Sequence, residues 1–443
     1  MARSGGDAGS GRALGVRPAV PLVSAARAVC DTYLAVFQRH PPLMAVVVAT
    51  LFVALVYGNL NNIAIPQLLR ESLHIPAYKV LVGQLVSTAL FVEFLLKLPF
   101  GYLSDRIGRK RFIALAPLAG AIVPVLMAYT PSELLWLLFP LVAANGVVVA
   151  AFWPVLYASV TDLCEAEWRP QALAAVTATY LCGTTAGFAL GLIVSGHTGN
   201  YRLPFLVAGG LLFMAGMCAA ALIPETHSRP RRGEGALAKL AAMSGALSER
   251  APAVVTGARL PLYLVITITF ILFFAVTVVA PFVEGYAGKT LGINVAHMWG
   301  AVLTMAVLIA ILALPLSRVA NAWSKSNAVR LGLALAGVAM ALVGLSRDLT
   351  GLFASVLLAV IAFLLGIPAW LALVTRGVPA DQRGTVMGVM TAAQGAGASA
   401  GPLVGGYLGQ QDPHFPFYGS AAVLGLAALL ALGLLRETER ASI

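Results

Sequence analysis

Charge is scarce in this chain. Of its 443 residues, only 11% are Asp, Glu, Lys or Arg, whereas 59% are hydrophobic. A typical soluble domain carries about 25% charged residues, so a water-soluble fold of this length would lack the polar surface to cover itself. That argues against a soluble enzyme, a disordered protein and a nucleic-acid binder, and it points to lipid as the solvent. Cysteine is scarce too. Cys30, Cys164, Cys182 and Cys218 form no CxxC pair and have no His at metal spacing, so they read as small apolar residues, not as a disulfide frame or a zinc site. No phosphate loop, nucleophile triad, HExxH or haem pattern occurs. The expectation is a non-enzyme without cofactor or metal, and without the nucleotide domain of an ATP-driven pump.

In place of these features, apolar runs recur, each about 20 residues long and able to span a ~30 Å hydrocarbon core. The predicted helices are 43–67, 79–103, 111–130, 133–158, 171–195, 202–224, 260–285, 294–318, 326–345, 350–374, 381–408 and 416–436. This gives an all-α polytopic membrane protein with twelve helices. The expected divisions are an N-terminal tail over 1–42, a first six-helix bundle over 43–224, a basic central loop over 225–259, a second bundle over 260–436 and a short tail over 437–443. Residues 1–40 carry scattered Arg and Gly and read as a tail or a short surface helix, with a transit peptide as a lesser alternative. With both termini placed inside, 23 Lys and Arg fall on the cytoplasmic side, five on the other and one within a helix. That asymmetry predicts both termini in the cytoplasm, in a cell membrane. It also accounts for the net charge of +11 without a nucleic-acid partner.

The halves echo each other. With Arg169 laid over Arg383, Gly183, Gly187 and Gly191 fall on Gly397, Gly401 and Gly405, and Pro154 falls on Pro368. Duplicated six-helix halves around a shared site are a transporter architecture.

The strongest local motif runs from Gly101 to Arg111 as GYLSDRIGRKR. It resembles the major facilitator superfamily signature between helices 2 and 3, Gly-x-Leu-x-Asp-Arg-x-Gly-Arg-Lys, at every position. The twelve-helix plan and the repeat extend the resemblance over 43–436. The resemblance implies two pseudo-symmetric bundles rocking about a central cavity in alternating access, as in the drug- and metabolite-exporter branches. It also implies a cytoplasmic gate of Gly101, Asp105, Arg106, Gly108 and Arg109, with Asp162 as the partner of Arg109. In this gate Gly101 would allow close backbone approach, and Asp105 would face the start of helix 11 near Asp381 to Gly384. The second-half counterpart, Leu314 to Ser326, is degenerate. A topology-setting basic loop is the plainer alternative.

Helix 11 carries Gly397, Gly401, Pro402 and Gly405, a small-residue face suited to close packing or to a hinge. In antiporter branches of the superfamily a similar Gly-Pro motif lies in helix 5, where this chain has Phe188. Helix 2 carries Glu93 and Lys97, four residues apart at membrane depth. Such charges cost ~2.5–3.5 kcal/mol or more each when facing lipid, so the pair either orients the helix inward or couples proton movement to transport. Glu93 reads as the deepest carboxylate and the proton candidate. Since helices 1, 4, 7 and 10 line the cavity in the family, Tyr57, Asn61, Asn145, Trp153 and Trp370, with Gln394 of helix 11, are the cavity candidates. Interhelical hydrogen bonds are the alternative for each. Glu284, His297 and Trp299 read as interface anchors.

The expected function is secondary active export of a small amphipathic or lipophilic compound, coupled to protons by antiport, by a monomer in contact with membrane lipid. An uncoupled facilitator or lipid flippase, and a non-transporting receptor or scaffold, are the rival readings.

Overall fold

The computed structural model describes residues 37–165, 167–225, 262–294, 298–322, 324–374 and 383–440. The tail over 1–36, most of the central loop, residues 295–297 and the whole 10–11 connection over 375–382 lie outside these residues, so the expectations made for them, that for His297 included, lie outside as well. Among the described residues every regular element is helical.

Helices occupy all twelve predicted positions. They are α1 (Pro42–Ser72), α2 (Tyr78–Ile107), α3 (Arg109–Ala128), α4 (Ser132–Leu163), α5 (Arg169–Thr198), α6 (Leu203–Leu222), α7 (Leu262–Thr290), α8 (Met298–Ala322), α9 (Lys325–Leu345), α10 (Leu349–Val374), α11 (Arg383–Gln411) and α12 (Phe415–Arg440). Among the described residues, ten of these rods are long and apolar enough to cross a membrane, and Met298–Ile309 of α8 is a further, shorter apolar stretch. Large apolar side chains such as Leu98, Leu115, Trp136, Leu222 and Leu429 stand on the outer surface, as expected where lipid and not water meets the helices.

The repeat seen in the sequence is a packing relation. Gly183, Gly187 and Gly191 of α5 lie against Leu51 and Ala54, Leu55, and Asn59 and Ile63 of α1. Gly397, Gly401 and Gly405 of α11 lie in the same way against Phe270, Phe274 and Thr277, and Val278 and Phe282 of α7. In each half, a small residue on every turn lets two backbones approach where any side chain would collide.

Helices α1 and α7 are the irregular ones. Leu60–Ala64 and Leu68–Ser72 widen into π turns, as does Tyr286–Thr290, and Ala280–Phe282 tightens into a 3-10 turn. Pro66 and Pro281 each remove a backbone donor there, so the ladder must re-register. Cys164, just beyond α4, is unpaired and buried; burial pushes its thiol pKa up, which fits the reading of an inert small apolar residue.

Candidate functional site

Two ends of the molecule are distinguished by their charges. The end bearing the α2–α3 connection is termed the basic end. There Gly108 has φ +114°, a conformation that favours glycine, and it turns the chain sharply from α2 into α3. Arg109 donates to Asp105 Oδ1 at 3.0 Å and also pairs with Asp162 at the end of α4. All three therefore belong to the first half. The guanidinium of Arg106 lies 4.4 Å from the Tyr102 ring centroid. Glu225, which the sequence did not single out, accepts from the Arg109 amide at 3.1 Å and so caps the exposed start of α3. Among the described residues, Gly101 meets the Pro154 side chain at ordinary contact distance and no backbone comes closer, so the expected close backbone approach is not made with any of them. The stretch near Asp381 expected to face Asp105 lies outside the described residues.

Midway along α2, Glu93 and Lys97 form a 2.7 Å ion pair. Glu93 is buried, with its side chain 10% exposed, and the Lys97 side chain is less covered. The i,i+4 spacing puts both groups on the α4-facing side of α2, where Ala89 packs on Gly146 and Gly101 on Pro154. Rings gather beside the pair. Tyr57 of α1 lies 6.3 Å from Tyr180 of α5, which makes an edge-on contact at 4.8 Å with Trp153 of α4, and Trp153 lies 6.2 Å from Tyr157. Glu93 acts electrostatically on both Tyr57 and Tyr180. The structure thus brings together four of the sequence candidates, Tyr57, Glu93, Lys97 and Trp153, and adds Tyr157 and Tyr180. The signal for Tyr180 was present in the sequence, since it lies one turn before Gly183 on the face turned to α1.

Other candidates are placed elsewhere. Asn145 is buried on α4 beside Gly146, and Gln394 is half-buried on α11. Asn61 is buried in the π turn of α1 with Oδ1 unpartnered. Trp370 is not a cavity residue: it is 2% exposed, and its Nε1 donates to Thr269 Oγ1 at 3.0 Å. It lines an apolar gap inside the second half with Leu272, Gly332, Ala336, Ala362 and Gly366. Pro402 lies within the continuous helix α11, its carbonyl against Gly83 of α2.

At the opposite end Glu284 is no interface anchor. It is fully buried and accepts from Arg70 through both oxygens, at 2.8 and 2.7 Å, and from Gln67 Nε2 at 3.2 Å. It is thus at least as enclosed as Glu93. Further contacts cross between the halves along α2 and α11. Lys79 Nζ donates to the Gly409 carbonyl at 2.6 Å, Ser87 donates to the Ser399 carbonyl, and Gly83 abuts Pro402 and Gly406. Farther along, Phe94 packs on Gly395. The halves are closed on each other at this end.

A sequence model of the Major Facilitator Superfamily matches residues 46–363 and 265–442. The chain is 29% identical over 175 residues to the class C tetracycline resistance protein of Escherichia coli, covering 38% of this chain and 41% of that protein. It is 33% identical over 186 residues to the class G protein of Vibrio anguillarum, covering 41% and 45%. The matched stretches span less than half the length of these curated relatives. Among solved structures, the nucleoside transporter NupG superposes with TM-score 0.71 at 12% identity, covering 89% of this chain and 99% of that one. The human organic anion transporter MFSD10 superposes with TM-score 0.62 at 20% identity, covering 88% and 98%. With the family's sequence model matched across both halves, the chain belongs to the Major Facilitator Superfamily.

Proposed function

We propose that this multi-pass membrane transporter is a secondary active exporter of a small amphipathic or lipophilic compound, working by alternating access with the basic end in the cytoplasm of a plasma membrane. Closure at the opposite end makes the described state closed to the outside. The observation that carries the proposal is the Glu93–Lys97 pair set among Tyr57, Trp153, Tyr157 and Tyr180. An aromatic wall with one ion pair offers a substrate stacking surface and few hydrogen bonds, which suits a lipophilic body better than a sugar. The tetracycline resistance proteins that the chain resembles support the export direction.

In this reading Glu93 stays ionised while Lys97 holds it. When the halves rock and the ammonium moves away, an enclosed carboxylate is destabilised in its charged form and takes up a proton. That exchange couples transport to a proton gradient. At the basic end, Arg109, Asp105 and Asp162 form the first-half side of the cytoplasmic gate. Among the described residues their partners lie in the first half, Arg109 pairing with both Asp105 and Asp162.

The test is Glu93→Gln in reconstituted vesicles, with a fluorescent lipophilic dye as cargo. Gradient-driven movement of the dye should fall at least tenfold, while counterflow exchange should persist. Uphill movement at the wild-type rate would remove Glu93 from the coupling step. An uncoupled facilitator remains the second reading, favoured by the pair's complete internal neutralisation; its dye flux would not respond to collapse of the gradient.

A further inference from the structure

The polar groups that bridge the two halves at the end away from the basic loop centre on one ion pair, Arg70 of α1 with Glu284 of α7. Neither side chain is more than 7% exposed, and both carboxylate oxygens are engaged by the guanidinium. Around them stand Gln67, which donates to Glu284, and Glu71, which accepts from Arg70 Nε at 2.6 Å. The Tyr78 ring lies 5.9 Å from the Arg70 guanidinium and 6.0 Å from the Lys289 ammonium, which reaches Glu71 at 4.0 Å. The pair sits where α1 and α7 are wound irregularly, between the π turns Leu68–Ser72 and Tyr286–Thr290.

We propose that Arg70 and Glu284 are gate residues of the transport cycle: their ion pair locks the outer end shut and releases when water reaches it. This rests on the alternating-access reading above and adds to it the residues that set the outer gate.

The choice of charge over an apolar plug follows from solvation. Two hydrophobic side chains meeting there would favour closure in proportion to the area they hide, and opening would expose that area to water. A buried ion pair gives up hydration when it closes and regains it when it opens, so its net contribution to closure is small. Its directional contacts nevertheless demand one register between the halves. Opening leaves Arg70 with Glu71 on its own half, so one cation is never stranded, and Glu284 becomes hydrated. Removing only one member has a different effect. The remaining charge is then unpaired in a dry site whenever the gate closes, and hydrated whenever it opens.

The experiment measures the gate without any substrate. Spin labels are placed at Asn200→Cys and Gln411→Cys, exposed positions on the two halves at this end, in protein whose native cysteines are replaced. Arg70→Gln and Glu284→Gln should each raise the population at longer distance at least tenfold. The swap Arg70→Glu with Glu284→Arg should return most of the closed population. The apolar pair Arg70→Met with Glu284→Leu should stay closed at least as fully as the wild type and should slow dye transport. Should a single variant fail to yield monodisperse protein, the swap and the apolar pair decide alone. An open apolar pair, a swap that does not close, or folded single variants with the wild-type distribution would each overturn the gate. Because the distances are read without cargo, failed transport with the expected distance shifts would count against the transport reading and leave the gate standing.

Discussion

Arg109 and Trp370 show how one side chain's worth depends on where its partner sits. Arg109 bridges Asp105 on its own helix and Asp162 at the end of α4, with Asp105 well exposed. Exposed pairs contribute about 0.2–1 kcal/mol each, so Arg109→Ala should lower thermal stability only modestly. A double-mutant cycle with Asp162→Ala should give a coupling of about 1 kcal/mol, and strict additivity would show that the two side chains do not interact. If the cluster also sets the inward–outward balance, the same two variants should change cysteine accessibility at the two ends. Trp370 differs, because its N–H and Thr269 Oγ1 are both buried. Trp370→Phe strands the hydroxyl, a loss of about 1–3 kcal/mol. Since the ring lies inside the second half, gradient-driven transport by the folded variant should keep its wild-type KM. A selective rise in KM would return Trp370 to the substrate path.

At the scale of helices, much was legible because periodicity is local. Hydrocarbon thickness fixes the span lengths, and glycines at every fourth residue fix which face of α5 meets α1 and which face of α11 meets α7. Both signals lie within one stretch of sequence. The Arg70–Glu284 pair was not legible, because its members are 214 residues apart and each, read alone, is an ordinary charge near a helix end. Glu225 was missed for the same reason: its partner is the backbone of a helix more than a hundred residues earlier. Trp370 misled because a tryptophan on a cavity-forming helix looks the same whether it faces the cavity or a neighbouring helix. The glycine faces also give a contrast within one residue type. A side chain at Gly401 would strike Thr277 and the α7 backbone, whereas Gly210 of α6 has open space. Gly401→Val should destabilise by about 1–3 kcal/mol or more. Gly210→Ala should be neutral or stabilising by up to about 1 kcal/mol. Thermal unfolding in detergent compares the two directly, and equal effects would mean that the α7–α11 contact is looser than described.

For the whole molecule, the question is whether the halves move as units. Each half has its own tightly packed helix pairs, α1 with α5 and α7 with α11. The contacts between halves along α2 and α11, by contrast, are made largely by small or polar groups, Gly83, Ser87, Ser399 and Gly406, with Lys79 capping the end of α11. Lys79 and Ser87 can exchange these cross-seam hydrogen bonds for bonds to water when the halves part, which the apolar contacts inside each half cannot do. Rigid halves that part along this seam would open the outer end while leaving the intra-half pairs intact. Lys79→Cys with Gly409→Cys brings two thiols together across the seam, since a side chain at Gly409 would lie 3.5 Å from the Lys79 Cδ. Bridging them with a short bifunctional thiol reagent should abolish dye transport, and a cleavable version of the reagent should restore it on reduction. Either single cysteine treated in the same way should keep transporting. A bridged protein that still moves dye at the wild-type rate would mean that this end never needs to open, and the rocking of two halves would have to give way to a different path for the substrate.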